Sequence, residues 1–90
     1  MTINAMPAYK KGKYVFVAPS RRKNKKYDVF TLKDKYITSF GDNRYEQYTD
    51  KIGYYKSQNH LDKKRRDNYY SRHGEAKFES AKWFSHKYLW

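Results

Sequence analysis

KYVFVAPSRRKNKKYDVFTLKDKYITSF, the stretch from Lys13 to Phe40, decides the fold. Its opening, Lys13 to Ala18, is built of β-branched and aromatic residues and is closed by Pro19-Ser20, which predicts a first strand. Arg21 to Lys26 is a charged connection. Tyr27 to Leu32 predicts a second strand, whose alternation puts Tyr27, Val29 and Thr31 on one face and Asp28, Phe30 and Leu32 on the other. Lys33-Asp34-Lys35 is a short polar turn with no glycine to ease a left-handed residue, and Tyr36 to Phe40 returns as a third strand. The expected unit is a small three-stranded antiparallel meander.

N-terminal to it, Met1 to Gly12 has no periodicity, contains Pro7 and reads as an extended basic arm. On the other side, Phe40-Gly41-Asp42 ends the sheet, with Gly41 free to take a positive φ and Asp42 placed to cap a short helical turn from Asn43 to about Tyr48. A helix is expected from Asp62 to His73, stopped by Gly74, with Leu61, Arg65, Tyr69 and His73 as its buried stripe and Tyr70 flanking. A last helix from Ser80 to Leu89 carries Trp83, Phe84 and Tyr88, so Trp83 to Trp90 reads as a hydrophobic plug. The fold class is α+β: the meander, then two or three short helices, with residues 1–12 as the arm and residues 13–90 as one small domain. Its expected core is Val15, Val17, Val29, Ile37, Phe40, Tyr45, Tyr48, Leu61, Tyr69, Trp83, Phe84 and Leu89.

Composition explains why that core must be aromatic. Eighteen Phe, Tyr and Trp stand against nine Ile, Val and Leu in 90 residues. A chain this short hides only about 60–65% of the surface that its unfolded form exposes. Each ring removes roughly 150–250 Å² from water, and a tyrosine brings a hydroxyl that wants a partner. There is no cysteine, hence no disulfide framework and no thiolate metal site, which fits a reducing interior. The longest strictly apolar run, Tyr14 to Ala18, is far short of the roughly 20 residues a membrane span needs, so a soluble chain without a membrane span is expected.

The formal charge is +12 and unevenly spread. Residues 1–26 hold eight cations and no acid, a net +8; residues 27–90 hold thirteen cations and nine acids, a net +4. Lys10, Lys11, Lys13, Arg21, Arg22, Lys23, Lys25 and Lys26 are therefore candidate contacts to phosphate or to an acidic protein, joined by Lys63, Lys64 and Arg66 on the predicted helix. A flanking acid at Asp62 or Asp67 makes a plain salt-bridged surface the competing reading of the helical run. Tyr54, Tyr55 and Tyr70, each near a cation, are candidate stacking residues, although the scarcity of aliphatic side chains favours a core role for one tyrosine of each adjacent pair.

Catalytic signals are poor. His60, His73 and His86 are thirteen residues apart, with no two within a helical turn. Metal ligation is therefore not expected. Glu75-Ala76-Lys77 matches a nuclease E-x-K fragment, but the sheet that motif requires is larger than this chain builds; Ile52-Gly53-Tyr54-Tyr55 is half of another nuclease signature without its companion. No glycine-flanked nucleophile turn is present. No enzyme activity, cofactor, metal or small-molecule substrate is expected.

FGDNRYEQYTDKIGYY at Phe40 to Tyr55, HLDKKRRDNYYSRHG at His60 to Gly74 and KWFSHKYLW at Lys82 to Trp90 together resemble a family of small, basic, uncharacterised proteins of large double-stranded DNA viruses. The shared features are a KKYxV strand, an FGDxRY turn, a KRRxxYxxRHG helix and an aromatic C-terminus ending in Leu-Trp. The resemblance spans residues 25–90 and leaves the arm unmatched. It implies a viral context and no catalytic residue. Two functions follow as expectations. One is a virion structural protein, a minor capsid or cement protein whose partners are capsid or other virion proteins. The other is a non-specific nucleic-acid-binding protein that coats or packages viral DNA. The structural role predicts buried Tyr54, Tyr69, Trp83 and Trp90; the DNA role predicts exposed tyrosine pairs.

Overall fold

The computed structural model describes residues 7–90. Four antiparallel strands, β1 (Ala8–Lys11), β2 (Tyr14–Val17), β3 (Lys25–Thr31) and β4 (Tyr36–Asp42), lie in sequential order in one sheet. A 3₁₀ turn at Lys56–Gln58 and two helices, α1 (Lys63–His73) and α2 (Ala81–Tyr88), follow. The class is α+β as expected, but the sheet has four strands rather than three. Residues 8–11 of the supposed arm are β1, paired from Ala8↔Val17 to Lys11↔Tyr14. The AYKK sequence lacks a strand pattern of its own, and pairing with β2 supplies the hydrogen bonds instead. Gly12, at φ 59°, forms the two-residue link to β2. Residues 1–6 of the arm lie outside the described residues.

The β3–β4 turn shows how a hairpin closes without glycine. Asp34 takes φ 66°, a left-handed conformation that aspartate tolerates better than most residues. The Thr31 hydroxyl accepts from Lys33 N and Lys35 N, and Asp34 N donates to Thr31 O at 3.0 Å. Gly41 takes φ 80°, and a side chain there would meet Leu89 Cδ1 and Lys26 Cβ at 3.0 Å. The expected helical turn after it does not form. Asp42 ends β4, and its carboxylate turns the chain by accepting from Arg44 N. Gln47 N then donates to Gln58 O and His60 N to Gln47 O, so the segment pairs with a distant part of the chain rather than coiling on itself.

The core is a cluster of rings. Tyr14, Phe16, Ala18, Tyr27, Val29, Phe40, Ile52, Phe84 and Leu89 are buried together. Phe16 sits at the centre, with its ring centroid 4.7 Å from Tyr88 and 5.9–6.2 Å from Tyr27, Phe40 and Phe84, all edge-on, the arrangement that ring quadrupoles favour. β2 therefore faces the opposite way from the expectation. Val15 and Val17 lie half-buried on the other side of the sheet because the larger rings of Tyr14 and Phe16 claim the covered face. Ile37, Tyr48 and Trp83 are half-buried, whereas Tyr45 and Leu61 are exposed.

α1 has the expected ends. Asp62 caps it by accepting from Lys64 N and Arg65 N, and Gly74 N donates to Tyr70 O. Its expected stripe is reduced to Tyr69, the one buried residue in the helix; Arg65 and His73 are exposed because α1 touches the body mainly through Tyr69 and Tyr70, which meet His86. α2, capped by Ser80, packs on β4 with Phe84 and Leu89 fully inside, as the plug reading requires. Thr49 N and Lys51 N donate to the carbonyls of Leu89 and Tyr88, tying the C-terminal turn to the long loop.

Candidate interaction surfaces

The acids and the cations of this chain are handled differently. Asp28, 3% exposed, accepts from the hydroxyls of Ser20 and Ser39 and from Arg21 N. Asp50, equally buried, accepts from Tyr27 Oη, Ile52 N and Tyr55 N. Glu79 accepts from Tyr14 Oη at 2.7 Å, and Asp62 caps α1. These four carboxylates take neutral donors. Among the described residues only two ion pairs form, Arg44–Asp42 at 2.8 Å and Arg65–Glu46 at 3.0 Å. The Arg44 guanidinium holds the Asp42 carboxyl down at about 2. Most of the 21 Lys and Arg thus have no carboxylate at ion-pair distance among the described residues.

One predicted contact is removed from that surface. Lys26 is 1% exposed, and its Nζ donates to Tyr45 O at 2.9 Å and to Gln47 Oε1 while lying 5.8 Å above the Tyr55 ring. Burial lowers its pKa to about 8, against a smaller opposing pull from Asp50 and Asp42. Lys26 is an internal strut, which corrects its assignment as a phosphate or partner contact. The other candidates are exposed: Lys10 and Lys11 on β1, Lys13 in the turn after it, Arg21, Arg22 and Lys23 between β2 and β3, Lys25 at the start of β3, and Lys63, Lys64 and Arg66 in the first turn of α1. Arg66 also covers the rings of Tyr48 and Tyr70, at 5.1 and 5.9 Å.

The stacking candidates fare unevenly. Tyr55 is half-buried, edge-on to Tyr27, with its hydroxyl donating to Lys26 O. Tyr70 is half-buried beneath Arg66 and donates to His86 O. Their rings serve the fold, and Tyr54 alone of the three is exposed. Of the four side chains whose burial the structural role required, Tyr69 is buried, Trp83 and Trp90 are half-buried and Tyr54 is not.

A different aromatic pair faces outward. Phe30 and Tyr36 are cross-strand partners on β3 and β4, with centroids 5.7 Å apart and rings edge-on. They lie on the sheet face away from the core, with Val15 and Val17 of β2, and α2 packs on the opposite face. A shallow groove of about 280 Å³ runs across this face. Arg21 lines it, and Arg22 reaches to 3.5 Å from Tyr36 Oη. Beneath the rings, Tyr36 Oη, Ser39 Oγ and Asp28 form a chain with spacings of 2.7 and 2.6 Å. The alternation of Tyr27 to Leu32 already places Phe30 opposite the core residues; that Tyr36 joins it depends on the β3–β4 register and its bulge at Val29/Phe30.

The histidines serve the fold. His86 links Tyr69 Oη to Gly74 O, His60 Nδ1 accepts from Asp62 N, and His73 lies against the Tyr69 ring at 4.3 Å. No group of three His, Cys, Asp or Glu among the described residues is placed to hold a metal ion. No helix among them is long and apolar enough to cross a membrane. Compared with models of known families, with curated proteins and with solved structures, the chain matches none.

Proposed function

We propose that this protein is a non-enzymatic structural component of a virion, a minor capsid or cement protein that joins larger subunits. The observation that carries the binding role is the scarcity of ion pairs: Asp28 and Asp50 are buried on neutral donors, Glu79 and Asp62 also take neutral donors, and only two ion pairs form among the described residues, so a ring-packed body presents many cations with no carboxylate paired to them. Such a body suits a seat on acidic protein surfaces, where opposite charge steers and orients the encounter. The viral setting is supported by the resemblance of the Phe40 to Tyr55, His60 to Gly74 and Lys82 to Trp90 segments. Purified, nuclease-treated particle shells contain the chain in fixed ratio to the major capsid subunit if the reading is right. Its absence from such shells removes it.

The same cation excess favours a second reading, non-specific coating of viral duplex DNA. If five surface cations met phosphates, log K would fall with log salt at a slope of about −4.5. A flat response to duplex DNA at low salt excludes it.

A further inference from the structure

We propose that the uncovered face of the sheet is a binding site for single-stranded nucleic acid, with bases stacking on Tyr36 and Phe30 and phosphates held by Arg21, Arg22 and Lys10. This goes beyond the virion reading and does not depend on it. Three features of the face point to this occupant.

The first is the exposed ring pair itself. Tyr36 keeps 44% of its surface in solvent and Phe30 remains only partly covered; Tyr45, Tyr54 and Phe78 are exposed as well, but Phe30 and Tyr36 are the cross-strand pair on the uncovered sheet face. Their rings meet edge-on with centroids 5.7 Å apart, so the two faces are not stacked on each other. Every base has a π-face, so a platform of this kind accepts bases without regard to sequence. A duplex keeps its bases stacked on one another and offers no such face.

The second is the arrangement of charge. Arg21 and Arg22 follow β2 and line a second hollow with Phe30 and Tyr36, next to the groove that Arg21 and Phe30 also line, and Lys10 stands beside Val15 in the β1–β2 register, on the same side of the sheet. Among the described residues no carboxylate pairs with any of the three. Of the acids lining the face, Asp28 is 3% exposed with three donors on its carboxylate, so its charge is held below the surface; Asp34, at the β3–β4 turn, is the exposed one. The third is rigidity. Tyr36 is held from below by Ser39, and the sheet is backed by the aromatic core, so the platform costs little ordering on binding. An acidic peptide would use the arginines but has no need of the rings.

The test is an anisotropy titration of the full chain against a labelled short oligothymidylate over a salt series, with a duplex and polyglutamate as competitors. Oligothymidylate is expected to bind more tightly than either competitor. Tyr36→Ala should weaken it roughly tenfold or more, the weight of one base–ring stack, while Tyr36→Phe, which keeps the ring, retains it. Arg21→Gln with Arg22→Gln should flatten the salt slope by about 1.4, or about 0.7 per lost phosphate contact on a single strand. Because Tyr36 is half in solvent, the far-UV circular dichroism and cooperative thermal unfolding of Tyr36→Ala should match the wild type. Trp83 and Trp90 pack against the core on the opposite side, so tryptophan emission should not respond. Equal affinity for the Tyr36→Ala variant in its native fold overturns the proposal, as does a duplex or polyglutamate that competes as well as the single strand. Absence of the protein from particle shells would refute the virion role and leave this result standing.

Discussion

Tyr27→Phe removes one oxygen from the point where the long loop is fastened to the sheet. In the wild type Tyr27 Oη donates to Asp50 Oδ2 and accepts from Tyr54 N at 3.1 Å, and Asp50 also receives Ile52 N and Tyr55 N, each at 2.8 Å. The ring is fully buried against Phe16, Phe40 and Tyr55, and phenylalanine preserves that packing. What is lost is a hydrogen bond to a carboxylate, about 1.5–3 kcal/mol, together with the partner of the partly buried Tyr54 N–H, about 1 kcal/mol at the low end of its range. The expected loss is about 2.5–4 kcal/mol, a large part of the roughly 5–13 kcal/mol available to a domain of this size. Urea and thermal denaturation followed by far-UV circular dichroism should show an unchanged m-value and a Tm lower by roughly 10–25 °C. A double-mutant cycle with Asp50→Asn should give a coupling above about 1 kcal/mol. A Tyr27→Phe protein within about 0.5 kcal/mol of wild type, or a coupling near zero, refutes the role assigned to this contact.

Gly41→Val forces a β-branched residue to φ 80° and places its Cβ 3.0 Å from Leu89 and Lys26 atoms; a loss of about 3 kcal/mol or more should appear in urea titrations, against about 1 kcal/mol for Gly74→Ala, where positive φ is the only obstacle. Phe84→Ala empties the contact between α2 and the sheet and should cost about 3–5 kcal/mol with loss of the near-UV aromatic signal. Alkaline pH should act in two directions. The lowered pKa of Lys26, about 8, means that the unfolded chain binds the extra proton between pH 8 and about 10.5, so stability rises over that window, and Lys26→Met should abolish the rise. Burial raises Tyr14, Tyr55 and Tyr69 to about 12, and burial with the Asp50 contact raises Tyr27 as well, so the unfolded chain ionises first and stability falls above pH 10. Tyrosinate absorbance should therefore lag during titration and then climb with cooperative unfolding.

Local rules were enough for much of this fold. The strands at Tyr14, Tyr27 and Tyr36, the α1 boundaries from Asp62 to Gly74, the positive φ of Gly41 and the buried Phe84 and Leu89 all follow from residue type and short-range spacing, because caps, glycine conformations and period-two alternation act within a few residues. The misread features share a cause. β1 has no pattern of its own and exists through pairing with β2. The loop from Asn43 to Tyr48 is held by Gln58 and His60 rather than by its neighbours, and Leu61 and Tyr45 are exposed because nothing distant covers them.

Sequence alone determined that a +12 chain poor in aliphatic residues must build its core from rings and must keep a cationic surface, since composition bounds both. It could not determine which rings and which cations. Val15 and Val17 satisfy the same alternation as Tyr14 and Phe16, and only the arrival of α2 on one face chose between them. Lys26 reads like any other residue of a basic run, and only Tyr45 O, Gln47 and the Tyr55 ring, each about twenty or more residues away, draw it inside. Phe30 and Tyr36 become one surface through strand register. Burial and pairing are properties of the assembled chain, so the tertiary structure decided which aromatics are core and which are left to meet a partner.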